Sequence, residues 1–301
     1  MKRSFISIID LNKKEISEIF ELATKIKESQ KKGIKHKFLA DKTLAMVFEK
    51  PSLRTRVTFE AGMSQLGGHA IYLAPADIQL GKRESVSDVA KNLSRWVDII
   101  MARVFAHKTV EELAKNATIP VINGLSDLEH PCQIMADLFT VMEKKGTLKN
   151  VSIAYIGDGN NVCNSFVAAA TILGFSLTVA TPQGYEPERS YMSRAKNVTV
   201  IHDPVEAVAN ADIIYTDVWT SMGQEKESAE RKKKFARFQL NAELLEKAKK
   251  DHLIMHCLPA HRGEEITDAI IDGPHSIVLD EAENRLHIQK SIMVWLIRQS
   301  L

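Results

Sequence analysis

The chain has 301 residues, and its 40 Lys and Arg against 38 Asp and Glu leave a net charge of +2. A length of this order suits two ordinary domains, and 45% hydrophobic with 26% charged residues is the composition of a soluble globular enzyme. The near balance of charge argues against general affinity for nucleic acid or membrane; three cysteines cannot all pair, and with no secretion signal or long apolar segment a reducing cytoplasm is the expected compartment.

Asn12 and Glu15 form a candidate capping box, Ile16, Ile19, Phe20, Ala23 and Ile26 make one apolar stripe, and Gly33 stops it, so the first element is an amphipathic helix. Short, nearly continuous apolar runs at 43–48, 69–73, 98–104 and 120–123 read as strands, with helical patterns at 57–66, 86–96 and 109–116 between them. A helix is expected from Pro131 to about Lys145, where Gly146 interrupts it. The strand pattern restarts at 151–156, 177–180, 198–201, 212–216, 253–256 and 277–279. Residues 282–301 are helical, with apolar Leu286, Ile292, Met293, Leu296 and Ile297. Apolar strands alternating with helices predict an α/β protein of two doubly wound parallel-sheet domains, residues 1–145 and 146–281. The Lys232-Lys233-Lys234 run is flanked by Glu225, Glu227 and Glu230 and reads as a solvated face rather than a nucleic-acid patch.

Polar motifs stand where these strands end, which is where open α/β sheets place their ligands. Glu49-Lys50-Pro51-Ser52-Leu53-Arg54-Thr55-Arg56 lies between a strand and a helix. There, free backbone amides, the Ser52 and Thr55 hydroxyls and the Arg54 guanidinium suit a phosphate; the plainer alternative is an N-cap with surface arginines. Arg103 ends the apolar strand Ile99-Ile100-Met101-Ala102, and His130-Pro131-Cys132-Gln133 opens a helix after the strand that follows. Ile156-Gly157-Asp158-Gly159-Asn160-Asn161-Val162 invites a dinucleotide reading, but Val162 replaces the third glycine and no acid ends the following strand at Val179-Ala180-Thr181-Pro182. Asp217-Val218-Trp219-Thr220-Ser221-Met222 starts another strand-end loop. His256-Cys257-Leu258-Pro259-Ala260-His261-Arg262-Gly263 follows the last clear strand. Its Cys257 matches no nucleophile signature, and the spacing of His130, Cys132, Cys257 and His261 fits no structural zinc motif.

In order and spacing, the Ser52–Arg56, His130–Gln133 and His256–Gly263 motifs closely resemble those of the ornithine carbamoyltransferases, within the aspartate/ornithine carbamoyltransferase family, from Glu49 to Arg285. The resemblance implies a cleft between the two domains, with the C-terminal helix 282–301 crossing back to complete the first. It implies that Arg54, Arg103, His130 and Cys257 are catalytic. Carbamoyl phosphate would be bound by Ser52, Leu53, Arg54, Thr55, Gln79, Arg103, His130, Pro131, Cys132, Gln133, Cys257, Leu258 and Arg285. L-Ornithine would be bound by Asn161 (with Asn164 as runner-up), Asp217, Ser221, Met222, Cys257 and Leu258. The family usually has Thr where Leu53 stands, so here a backbone amide remains and a hydroxyl does not. The resemblance further implies no metal or organic cofactor, and a homotrimer with shared active sites in which Gln79 serves the neighbouring subunit. The expected reaction is carbamoyl transfer to the δ-amine of ornithine. The alternatives are a sibling transferase using putrescine, acetylornithine or aspartate, or a non-catalytic binding relative. Asp217 disfavours acetylornithine, and no cation stands beside Ser221, Met222 or Cys257 for the β-carboxylate of aspartate.

Overall fold

The computed structural model describes residues 2–221, 223 and 225–300, and its packing divides the chain into two units. The first comprises Met1–Ala136 with Glu283–Leu301, and the second Asp137–Ala282. The expected boundary at 145/146 lies at the end of a helix, whereas the packing divides inside that helix, because its first turn belongs with the first unit.

In the first unit the order is α1 (Lys13–Lys31), β1 (Thr43–Phe48), α2 (Leu53–Gln65), β2 (His69–Leu73), α3 (Pro75–Ile78), α4 (Val86–Trp96), β3 (Ile99–Arg103), α5 (His107–Asn116), β4 (Val121–Leu125) and the start of α6 (Pro131–Lys145). The capping box of α1 forms, with Asn12 Oδ1 accepting from the Glu15 amide and Glu15 accepting from the Asn12 amide. In α4 the Ser85 cap leads to a buried stripe of Val89, Ala90 and Leu93, which packs on Ala45, Ile100 and Val121 of the sheet. The four strands are parallel in the order β2-β1-β3-β4. The chain leaves β1 towards β2 and returns to the other side for β3. The switch point, where two loops diverge and a crevice opens, is therefore at the carboxyl ends of β1 and β3.

The second unit continues with β5 (Ser152–Ile156), α7 (Asn161–Leu173), β6 (Ser176–Ala180), α8 (Arg189–Met192), β7 (Val198–Ile201), α9 (Pro204–Val208), β8 (Ile213–Thr216), α10 (Ser228–Phe235), α11 (Ala242–Leu245), β9 (Leu253–His256), α12 (Asp268–Ile271) and the start of α13 (Val278–Ser300). Its five parallel strands run β7-β6-β5-β8-β9, which puts a second switch point at the ends of β5 and β8. The strand expected at 277–279 does not form. Ile254 N donates to His275 O and Ile277 N to Ile254 O, so residues 275–277 run briefly beside β9, and Val278 then opens α13. The apolar run that imitated a strand is two core residues, Ile277 and Val278, beside an exposed Leu279. The lysine run lies on α10, where Lys234 pairs with Glu230 at 2.8 Å and Lys232 with Glu264 at 2.7 Å. Among the described residues no helix is long and apolar enough to cross a membrane.

Candidate active site

At the switch point of the first unit, β1 ends at Phe48, opposite Arg103 of β3. Ser52 caps α2 and accepts from the Thr55 amide at 3.3 Å. Leu53 is 74% exposed, so its side chain is directed away from the protein and its backbone amide is the group it offers at the helix end. Thr55 is buried, and its Oγ1 is approached by Arg103 Nη1 at 3.3 Å and Arg285 Nη2 at 3.4 Å. Arg285, on α13, also donates to Gln133 Oε1. Two guanidiniums converging on one hydroxyl at the amino end of a helix concentrate positive potential where an anion is already favoured.

His130 is buried just before α6. Its pKa lies well below the ordinary histidine value because of burial first, then of Arg285, Arg103, Lys50 and Arg54 around it. It is therefore a neutral imidazole near pH 7. Lys50, in the loop before α2, carries no motif signal of its own in the sequence, yet it belongs to the same cationic group. It is buried, its Nζ lies 4.8 Å from the centre of the Phe105 ring, and burial followed by repulsion from Arg103 lowers its pKa to about 8. Cys132 turns away from this group: its Sγ donates to Asn123 O at 3.4 Å in the core, and burial raises its pKa to about 12. Pro131 occupies the first position of α6. Gln79 ends α3 in a left-handed conformation (φ 44°) and is exposed, as are Gly81 to Ser85 after it.

The second unit builds a separate polar cluster at its own switch point. Asn160 caps α7, accepting from the Val162 amide at 2.9 Å and the Cys163 amide at 3.2 Å, and its Nδ2 donates to Asp217 Oδ2 at 2.8 Å. Asp217 Oδ1 accepts from the Val218 amide at 2.8 Å and from Cys257 Sγ at 3.0 Å. Asn161 stands beside this cap, half-buried at the first position of α7. Asn164, the runner-up, is buried, and its Oδ1 accepts from the Glu188 amide at 3.0 Å, which makes it a structural brace. Ser221 is half-buried, and Met222 lies outside the described residues.

Asn160, Asp158 and Arg231 were not singled out in the sequence. Asn160 had a signal, since Asn is a preferred cap. Asp158 and Arg231 had none, because 73 residues separate them before they meet. Gly159 is required by its own chain: a Cβ there would lie 2.4 Å from the backbone of Glu186 and Pro187. The close approach that a dinucleotide would need is taken up by residues 185–187.

Burial and the adjoining Asp217 carboxylate raise the Cys257 pKa well above the ordinary thiol value, which argues against a thiolate nucleophile. Ligand atoms of Asp217, His256 and Cys257 lie within 4.8 Å of one another, as in a metal site. Yet His256 Nε2 is 3.0 Å from Glu265 Oε1 and its Nδ1 accepts from the Leu258 amide at 2.8 Å. Both ring nitrogens are engaged in holding the turn that carries Cys257 and Leu258, where Leu258 has φ 55°. The donor set fits a structural lock better than a metal centre.

Residues 3–143 match the carbamoyl-P binding domain, and residues 149–296 the Asp/Orn binding domain, of aspartate/ornithine carbamoyltransferase. An ornithine carbamoyltransferase of Pyrococcus horikoshii is 54% identical over 303 aligned positions, covering 98% of this chain and 96% of the relative. The solved structure of ornithine carbamoyltransferase from Pyrococcus furiosus superposes with a TM-score of 0.95 at 54% identity, covering 97% of this chain and 96% of that one. The Thermus thermophilus ornithine carbamoyltransferase structure gives 0.90 at 44% identity, covering 99% of each.

Proposed function

The chain belongs to the aspartate/ornithine carbamoyltransferase family, and we propose that it transfers the carbamoyl group of carbamoyl phosphate to the δ-amine of L-ornithine, giving L-citrulline and phosphate. The observation that carries this reading is the convergence of Arg103 and Arg285 on Thr55 Oγ1 at the amino end of α2. That geometry suits a phosphoryl group with a reactive carbonyl beside it. In the proposed division of labour, Ser52, Leu53, Arg54, Thr55, Gln133 and Arg285 hold the phosphate. Pro131 and Cys132 contribute through the backbone of the α6 start. Arg103 and neutral His130 donate to the carbamoyl oxygen, where negative charge develops as the amine attacks.

The ornithine side is assigned to Asn161, Asp217, Ser221, Met222, Cys257 and Leu258. Asp217 keeps accepting capacity for an α-ammonium, since each carboxylate oxygen has two lone pairs. The δ-amine must be neutral to attack. With an ordinary amine pKa near 10.4, deprotonation at pH 7 costs about 4.6 kcal/mol. A C–N bond forms, the bond from carbon to the bridging phosphate oxygen breaks, and the departing phosphate takes the amine proton. No step in this scheme needs a metal or organic cofactor, because carbamoyl phosphate is already activated and the protein orients and polarises it.

The assembly is proposed to be a homotrimer with Gln79 lent to a neighbour's site; exposed Gln79, the exposed residues Gly81 to Ser85 and exposed Leu53, Val57 and Ile71 support this. A cytoplasmic location is supported by three free cysteines. The test is a citrulline assay with a panel of amines. Ornithine should be carbamoylated far faster than aspartate, putrescine or acetylornithine. Equal or better turnover of any of those three would overturn the substrate assignment.

A further inference from the structure

Away from these residues, the first unit carries a second concentration of positive charge. Residues 31–37, Lys-Lys-Gly-Ile-Lys-His-Lys, follow α1 and contain four exposed lysines. The ion pairs that flank the segment along the chain are Lys27 with Glu283 and Lys42 with Asp98; among the described residues none forms at Lys31, Lys32, Lys35 or Lys37. Beneath them lies Lys290 of α13, with 0% exposure. Its ammonium donates to Gln30 Oε1 at 2.6 Å and Gln65 Oε1 at 2.8 Å, and lies 3.2 Å from His36 Nε2. His36 Nδ1 is 3.1 Å from Ile34 O; donating there leaves Nε2 as the acceptor for Lys290. All three ammonium hydrogens are thus satisfied by neutral groups. Hydrogen bonding is complete, but among the described residues no carboxylate pairs with the charge, and a buried charge in that condition is costly. Burial lowers the Lys290 pKa to about 8, so the amine is still mostly protonated near neutrality.

Gln30, His36 and Gln65, the three partners of Lys290, also line a cavity of about 400 Å³, together with Lys35, Lys37 and Ser64. That volume is in the range of small-molecule sites. We propose that this cavity is a second ligand site, taking a small polyanion that carries phosphate or carboxylate groups. An anion there supplies the counter-charge that Lys290 lacks and meets Lys35 and Lys37 at the rim. A concave site of this size suits a metabolite rather than a polymer. The position couples to the residues described above: Ser64 and Gln65 close the helix that Ser52 opens, and Lys290 follows Arg285 on α13.

The probes are inorganic pyrophosphate and citrate, titrated calorimetrically into the full chain, into the double variant Lys35→Glu/Lys37→Glu and into Arg54→Ala. Both rim lysines are exposed, and a melting curve checks that the double variant is folded. The expected result is one-site binding of at least one anion that survives Arg54→Ala and weakens about tenfold or more in the double variant. Binding of pyrophosphate alone assigns a phosphorylated ligand, binding of citrate alone a polycarboxylate, and binding of both the shared chemistry. If neither anion binds the Arg54→Ala chain, or if adding Lys35→Glu/Lys37→Glu to that chain leaves its binding intact, the proposal is overturned.

Discussion

Arg231 Nη1 lies 2.9 Å from Asp158 Oδ2, with both side chains less than a tenth exposed, and the same guanidinium donates to Trp219 O at 2.9 Å. This pair ties the Gly157–Asn161 turn to the loop after β8. Burial raises the Asp158 pKa to about 6 although Arg231 opposes the shift. Arg231→Met should leave the carboxylate buried and cost about 3–5 kcal/mol at pH 7.5. Without the cation the carboxyl protonates more readily, so the difference from the parent should narrow as pH falls through 6 and below. Chemical denaturation at pH 7.5 and 5.5 reads both effects, and equal stability of parent and variant at pH 7.5 would remove the pair from the account.

For Arg103, buried and aimed at Thr55, the assigned role makes a kinetic distinction. A donor to the developing oxyanion acts in the transition state, so Arg103→Ala should lower kcat by about 10²–10³. An unchanged kcat with a raised KM for carbamoyl phosphate would reduce Arg103 to a binding residue.

Lys50 supplies a pH dependence. Its pKa is lowered to about 8, so the cationic group around His130 loses one charge as pH rises through that value. A bound anion favours the charged form and shifts the change somewhat upward. The KM for carbamoyl phosphate should therefore rise between pH 7 and 9 in the parent, and stay nearly level in Lys50→Arg, which is charged throughout. The measurement is KM against pH for both proteins; superimposable profiles would show that Lys50 does not contribute.

Gln79 tests the sharing of sites. Arg54→Ala and Gln79→Ala subunits, each poorly active alone, are unfolded together and refolded as an equal mixture. In a cyclic trimer, a site is intact when a Gln79 variant supplies the main residues and an Arg54 variant supplies the loop, which random assembly makes in about one quarter of sites. Citrulline production by the mixture should then exceed that of either parent. Activity equal to the mean of the parents, with mixed trimers confirmed by mass, would return Gln79 to its own subunit.

Local pattern determined most of the secondary structure. Thr43–Phe48, His69–Leu73, Val86–Trp96 and Pro131–Lys145 form between the residues that periodicity, caps and breakers mark, because those signals act over one or two turns or a few strand residues. The same short range explains the failure at 277–279, where three apolar residues cannot tell a strand from the first turn of a helix. The strand-end motifs were legible too, since a parallel sheet brings its carboxyl edges together. What only the tertiary structure decided are the pairings of distant charges: Arg285 with Thr55 across 230 residues, Arg231 with Asp158, and Lys290 with Gln30, His36 and Gln65. An arginine or lysine in a helix looks the same in sequence whether it faces solvent or a buried hydroxyl. Its partner is fixed by how helices pack on the sheets, and the pKa values of His130, Lys50 and Cys257 follow from that packing rather than from their neighbours in the chain.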